Sequence, residues 1–244
     1  MHWIYLSSHL DDIALSCGGL VWEQVQAGNS AGIWTICAGD PPAGPLSPFA
    51  EELHARWGTG RDAAWQRRQE DLAACQRLGA LARHFSVPDC IYRRASNGGA
   101  PLYTSDDAIM GPLNPVEAGQ VKALGAELAQ ALPAETELVC PLAIGGHVDH
   151  RLTRAAAEST GRRLWYYVDY PYILEAQSVI DKLRQEGWQA QGFPVSENGL
   201  RAWGEAVAAH ASQISTFWPD LPAMQAALNA YCQDMGGVFL WKKP

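Results

Sequence analysis

Short apolar runs alternate along this chain with longer segments of helical periodicity, and that alternation restricts it to a sheet wound between helices. Trp3–Leu6 is too tight for a helical turn and is cut off by Ser7-Ser8, so it reads as a first strand. Residues 13–27 then place Ile13, Leu20, Val21 and Val25 at helical spacing, with Gly28-Asn29 as a stop. Further strands are expected at Ala31–Cys37, His84–Val87, Glu137–Cys140, Leu164–Val168 and Val238–Trp241, and further helices at about 62–81, 116–132 and 150–161. Beyond Tyr172 the pattern is helical to about Asp234, apart from a break around Gly192–Pro194. Two proline-rich stretches, 39–60 and 97–115, read as long loops, the first with at most one helical turn. Loops of that length inside a compact domain are usually functional. The predicted architecture is an α/β, doubly wound, mostly parallel sheet in a single domain over 1–244.

Composition removes several classes of function. The formal net charge is −8 and no cluster of five or more Lys/Arg occurs, which argues against nucleic-acid binding. No segment approaches the ~20 apolar residues that span a bilayer, and the amino-terminal apolar run is too short for a signal peptide. A cytoplasmic protein without a membrane partner is the expectation, and a homo-oligomer is left open. Six cysteines stand singly, with no CxxC pair, and read as reduced packing residues.

Two segments stand out because each gathers metal-binding side chains just after a predicted strand. They are Ser8-His9-Leu10-Asp11-Asp12 and Gly145-Gly146-His147-Val148-Asp149-His150. Loops that follow the strands of a doubly wound sheet share one rim, so the two can face each other across one site. Together they offer three imidazoles and three carboxylates, the donor set favoured by zinc and similar metals. A catalytic zinc takes three protein ligands and keeps a fourth position open, which leaves residues over for acid and base work. Spacing alone does not assign the roles, and Asp12 or Asp149 can equally be read as a helix cap.

The paired segments resemble the signatures of the PIG-L/LmbE-type de-N-acetylases, a His-Pro-Asp-Asp motif and a later His-x-Asp-His motif. Here they stand as His9-Leu10-Asp11-Asp12 and His147-Val148-Asp149-His150. The likeness extends over Arg67-Arg68-Gln69-Glu70 with Leu78-Gly79, over Pro88–Arg93, and over Tyr167–Tyr172, so it covers about residues 1–175, ahead of a helical part at 176–244. The resemblance implies a Rossmann-like sheet with helices on both faces. It implies zinc, or another divalent transition metal, on His9, Asp12 and His150. Asp11 would be the general base, and His147 would polarise the acyl carbonyl or protonate the leaving amine, oriented by Asp149. Arg67 and Asp89 match positions that contact the sugar in similar enzymes. Leu10 replaces the usual proline, and Ile13 replaces the acidic residue that often follows the two aspartates.

The implied function is removal of an acetyl or acyl group from an N-acetylated amino sugar or its glycoside. The competing readings are a metallo-amidase on a peptide, lipid or antibiotic amide, and a non-catalytic sugar- or nucleotide-binding domain. The last fits poorly, because a binding module needs neither Asp11 nor His147. Gly18-Gly19 lack a GxGxxG context and read as helix-packing glycines. Trp57, Trp65 and Trp165 read as core aromatics, and His2, His54, His84 and His210 as structural residues.

Overall fold

The computed structural model describes residues 1–95 and 99–244, so the loop expected from Asn97 begins outside the described residues. Seven strands form one sheet: β1 (His2–Ser7), β2 (Ser30–Thr35), β3 (Leu81–His84), β4 (Thr136–Pro141), β5 (Leu164–Tyr167), β6 (Gln189–Phe193) and β7 (Val238–Lys242). Their order is β3-β2-β1-β4-β5-β7-β6. The first five run parallel, with His2 level with Ser30 on one side and Thr136 on the other. β7 is antiparallel to β5, and β6 to β7. The helices are α1 (Asp12–Gln26), α2 (Pro48–Trp57), α3 (Ala63–Leu78), α4 (Asp106–Ile109), α5 (Ala118–Ala131), α6 (Val148–Ser159), α7 (Gln177–Gln185), α8 (Glu197–Ala209), α9 (Ala211–Phe217) and α10 (Leu221–Met235).

β1 lies in the middle of the sheet and is covered on both faces, which is why it reads as a continuous apolar run rather than an alternating one. Right-handed crossovers carry α1 and α3 to one face and α5 and α6 to the other. α8 returns from the carboxyl-terminal part to pack on α1 and α3. Its Trp203 is fully buried and donates Nε1–H to Ala14 O at 2.7 Å. A Cβ at Gly18 would stand 2.6 Å from the Trp203 ring, so the glycine pair is a seat for this indole. Truncating so large a buried side chain to alanine costs about 3–5 kcal/mol.

Three elements differ from the sequence expectation. The 39–60 stretch contains a ten-residue helix, α2, rather than one turn at most. Ser47 caps it by accepting from Ala50 N at 3.1 Å, Pro48 opens it, and Gly58 ends it in the left-handed region at φ 62°. α3 ends at Leu78, and β3 begins at Leu81, three residues before the expected strand. β6 occupies the expected break near Gly192; it is polar and mostly exposed, so no hydrophobic signal marks it.

Chain direction reverses its spread between β1 and β4: β1 leads outward to β2 and β3, β4 to β5. The connections diverge there and leave a crevice beyond the carboxyl ends of the two strands. Both motif segments fall in that crevice.

Candidate active site

The first segment leaves β1 through a turn that its own polar groups close. Ser7 Oγ donates to His9 O at 2.5 Å, and Asp12 Oδ2 accepts from His9 N at 2.7 Å. The second leaves β4 through Gly145 and Gly146, at φ 85° and 82°. The Tyr172 ring fills the space a side chain at Gly145 would need, 2.9 Å from its ideal Cβ. α6 then starts at Val148 with His147 as its cap: His147 Nδ1 accepts from Asp149 N at 3.2 Å.

These turns bring His9, His147 and His150 together, with one ring nitrogen of each within 4.8 Å of the others. Asp12 Oδ2 lies 3.3 Å from His150 Nε2 and 3.7 Å from His9 Nδ1. His150 Nε2 is buried and has no hydrogen-bond partner among the described residues. An orphaned imidazole nitrogen beside a carboxylate and two further imidazoles is a donor set that fits a divalent transition metal.

The other nitrogens are held from behind. His150 Nδ1 meets Asp169 Oδ1 at 2.6 Å, and Asp169 Oδ2 accepts from Ile144 N at 2.9 Å. His9 Nε2 meets Asp149 Oδ2 at 2.9 Å. Asp149 thus serves His9, not His147 as expected from the sequence. Its second oxygen is taken by Arg93 Nη1, and Cys90 N donates to Oδ2 at 3.0 Å, so no oxygen is left to turn toward His147. The hydrogen bond that ring receives among the described residues comes from the backbone N–H of Asp149.

Charge follows this arrangement. Burial lowers the His150 pKa, but Asp12 and Asp169 outweigh it and raise it to about 10. Burial likewise opposes a proton on His9, but Asp12 and Asp149 raise its pKa well above the ordinary value. Burial works against the Asp12 anion, and His150 and His9 nevertheless hold its pKa well below the carboxylate range. His147 goes the other way: burial, then repulsion from His9 and His150, push it down to about 3. Asp149 pulls the His147 pKa upward, but burial first, and the two neighbouring imidazoles with it, outweigh that attraction.

Arg67 is buried and donates from Nη2 to Asp11 Oδ1 at 3.1 Å, with Trp57 beside it at 5.4 Å from the guanidinium carbon. It stands behind Asp11 rather than open to solvent. Asp89 Oδ2 lies 3.8 Å from His9 Nε2, and Oδ1 accepts from Ile91 N at 3.2 Å. Asp169 and Arg93 were not singled out from the sequence. Asp169 follows β5 on the same rim as the motifs, a signal that reading strand ends alone would have caught. Of the remaining singled-out residues, His54 pairs with Tyr92 and His84 with Asp71, all six cysteines are free and buried, and Trp65 is 58% exposed rather than core.

Comparison with known proteins points the same way. A family model described as PIG-L, GlcNAc-PI de-N-acetylase, matches residues 4–160. A 2'-N-acetylparomamine deacetylase of Niallia circulans is 29% identical over 206 residues, covering 76% of this chain and 71% of its own. The zinc-inhibited form of a teicoplanin deacetylase superposes with a TM-score of 0.76 at 25% identity, covering 99% of this chain and 97% of that one. An A40926 pseudoaglycone deacetylase gives 0.73 at 28% identity, covering 98% and 96%.

Proposed function

The chain belongs to the PIG-L de-N-acetylase family, and from that premise we propose that it hydrolyses the acetyl amide of an N-acetylated amino sugar, free or within a glycoside, on a zinc ion held by His9, Asp12 and His150. The observation that carries this reading is the meeting of imidazole nitrogens from two segments 140 residues apart, beside the carboxylate of Asp12. When bound, zinc supplies a Lewis acid and lowers the pKa of a water beside it.

The chain's own residues supply the rest. Asp11 takes the proton of the attacking water as the oxygen–carbon bond forms, and passes it to the nitrogen as the carbon–nitrogen bond breaks. Acetate and the free amine leave. Arg67 holds Oδ1 of Asp11, leaving Oδ2 for that proton. His147 acts as a neutral imidazole. Because Nδ1 accepts from Asp149 N, the ring proton sits on Nε2 and can be donated to the acyl oxygen as negative charge develops. A protonated Nε2 has no lone pair for a metal, which separates His147 from the two ligand histidines. Asp89, partly exposed beside His9, is assigned to the sugar.

The test joins metal analysis to acetate release over N-acetylglucosaminides, N-acetylparomamine and N-acetylglucosaminyl glycopeptides. Zinc is supplied at one equivalent, since a structural relative has a zinc-inhibited form. Release of acetate from none of them, with zinc bound, would sink the reading.

A further inference from the structure

An unbroken chain of buried side chains runs from the segment before α5 into the site. Tyr103 Oη accepts from Asn114 N at 2.9 Å and donates its own proton to Glu117 Oε2. Arg93 Nε donates to the other oxygen of Glu117, and Arg93 Nη1 donates to Asp149 Oδ1. Asp149 Oδ2 then meets His9 Nε2 at 2.9 Å. Tyr103, Glu117, Arg93 and Asp149 are each at most 4% exposed.

Two features make this more than a loop tie. First, every acceptor on the path is committed, so the orientation of Asp149 is set from both sides: Arg93 takes Oδ1, while Cys90 N and His9 share Oδ2. Release of Arg93 from Glu117 would leave the guanidinium held through Nη1 alone, on Asp149 and on Pro88 O at 3.2 Å, free to turn about that nitrogen and loosen the aim of Asp149 at His9. Second, the path carries two carboxylates against one guanidinium. A buried path with one excess negative charge is stabilised by positive charge at its free end. That end is His9.

We propose that Glu117 and Tyr103 are positioning residues for the metal centre: acting through Arg93, they lock Asp149 onto His9 and so set the affinity of the site for a divalent cation. The inference rests on reading His9 as a ligand. Outer partners of ligating histidines typically change metal affinity by about 10–100-fold when removed.

The test measures zinc affinity of the full chain by competition with a chelator, alongside thermal unfolding of the metal-free protein. Glu117→Gln, which keeps size and loses charge, is expected to weaken zinc by about tenfold or more. Tyr103→Phe removes only the outermost hydrogen bond and should shift affinity in the same direction by a smaller factor. Asp149→Asn should weaken zinc at least as much as Glu117→Gln. Parent affinity in both Glu117→Gln and Tyr103→Phe, with Asp149→Asn still weakened, would overturn the proposal while leaving the function intact. Parent affinity in Asp149→Asn and His9→Ala as well would remove the ligand assignment itself. Should Glu117→Gln not fold, Tyr103→Phe decides alone, and parent affinity there overturns the proposal.

Discussion

The two ends of the sheet both carry charged side chains and use them differently. At the amino end a cavity of about 880 Å³ is lined by Glu137, Glu158, Arg162, Lys242 and Lys243, among others. Its charges are settled locally and within reach of water. Lys243 Nζ lies 2.7 Å from Glu158, Glu137 accepts from Trp165 Nε1 at 2.6 Å, and Lys242 Nζ sits 3.5 Å from the centre of the Trp165 indole. At the carboxyl end Asp12, Asp149, His147, His150 and Asp169 are all buried, and one nitrogen of His150 has no hydrogen-bond partner among the described residues. Size does not distinguish the functional end. The gathering of buried imidazoles and carboxylates does, because groups of that kind are costly to bury unless they are paired or hold a cation.

The largest effects should fall on the ligands. The purified protein should carry about one zinc per chain, and His9→Ala, Asp12→Ala and His150→Ala should each abolish zinc binding together with turnover. Elemental analysis decides this, and full zinc in all three variants would erase the contrast between the two ends.

Next come the groups that act on the substrate. Asp11→Asn should keep its zinc and lose ~10²–10⁴-fold in kcat. His147→Ala should also keep its zinc and lose ~10²–10³-fold. Zinc lost with either variant would move that residue into the ligand set. Near-parent activity in His147→Ala would remove its role as donor to the acyl oxygen.

The amino end should respond weakly. Its pairs are partly solvated, so Lys243→Ala should change unfolding free energy by less than ~1 kcal/mol and leave acetate release unchanged. A large loss of activity would show that the cavity takes part in function.

The smallest effect concerns pH. His210, between α8 and α9, is buried with neither ring nitrogen partnered among the described residues, and burial lowers its pKa below the ordinary value. A group lowered in the folded state binds protons first when unfolded. Its contribution to stability is therefore complete above about pH 6.5 and is lost as pH falls below that toward the lowered folded value. Denaturation midpoints of His210→Leu and parent should thus run parallel above that pH, with the parent falling more steeply below it. Parallel curves throughout would show that His210 titrates normally.

Much of this molecule was legible beforehand. Parallel strands β1, β2, β4 and β5 reveal themselves as apolar runs because they are covered on both faces, and the donor residues stand at strand ends. α2 escaped because its prolines suggested a loop, although Ser47-Pro48 and Gly58 carry its caps. β6 escaped because an exposed edge strand has no apolar face to announce it.

The doubly wound architecture, the rim on which chemistry can occur and the donor types that meet there all follow from local periodicity and residue chemistry. The pairing came only with the folded chain: Asp149 with His9 across 140 residues, Asp169 with His150, and among the described residues no carboxylate hydrogen-bonded to His147. A buried carboxylate goes to whichever cations and donors the fold sets within about 3 Å of it. Arg93 and Cys90, delivered from beyond β3, settled that choice for Asp149 and turned its oxygens away from His147.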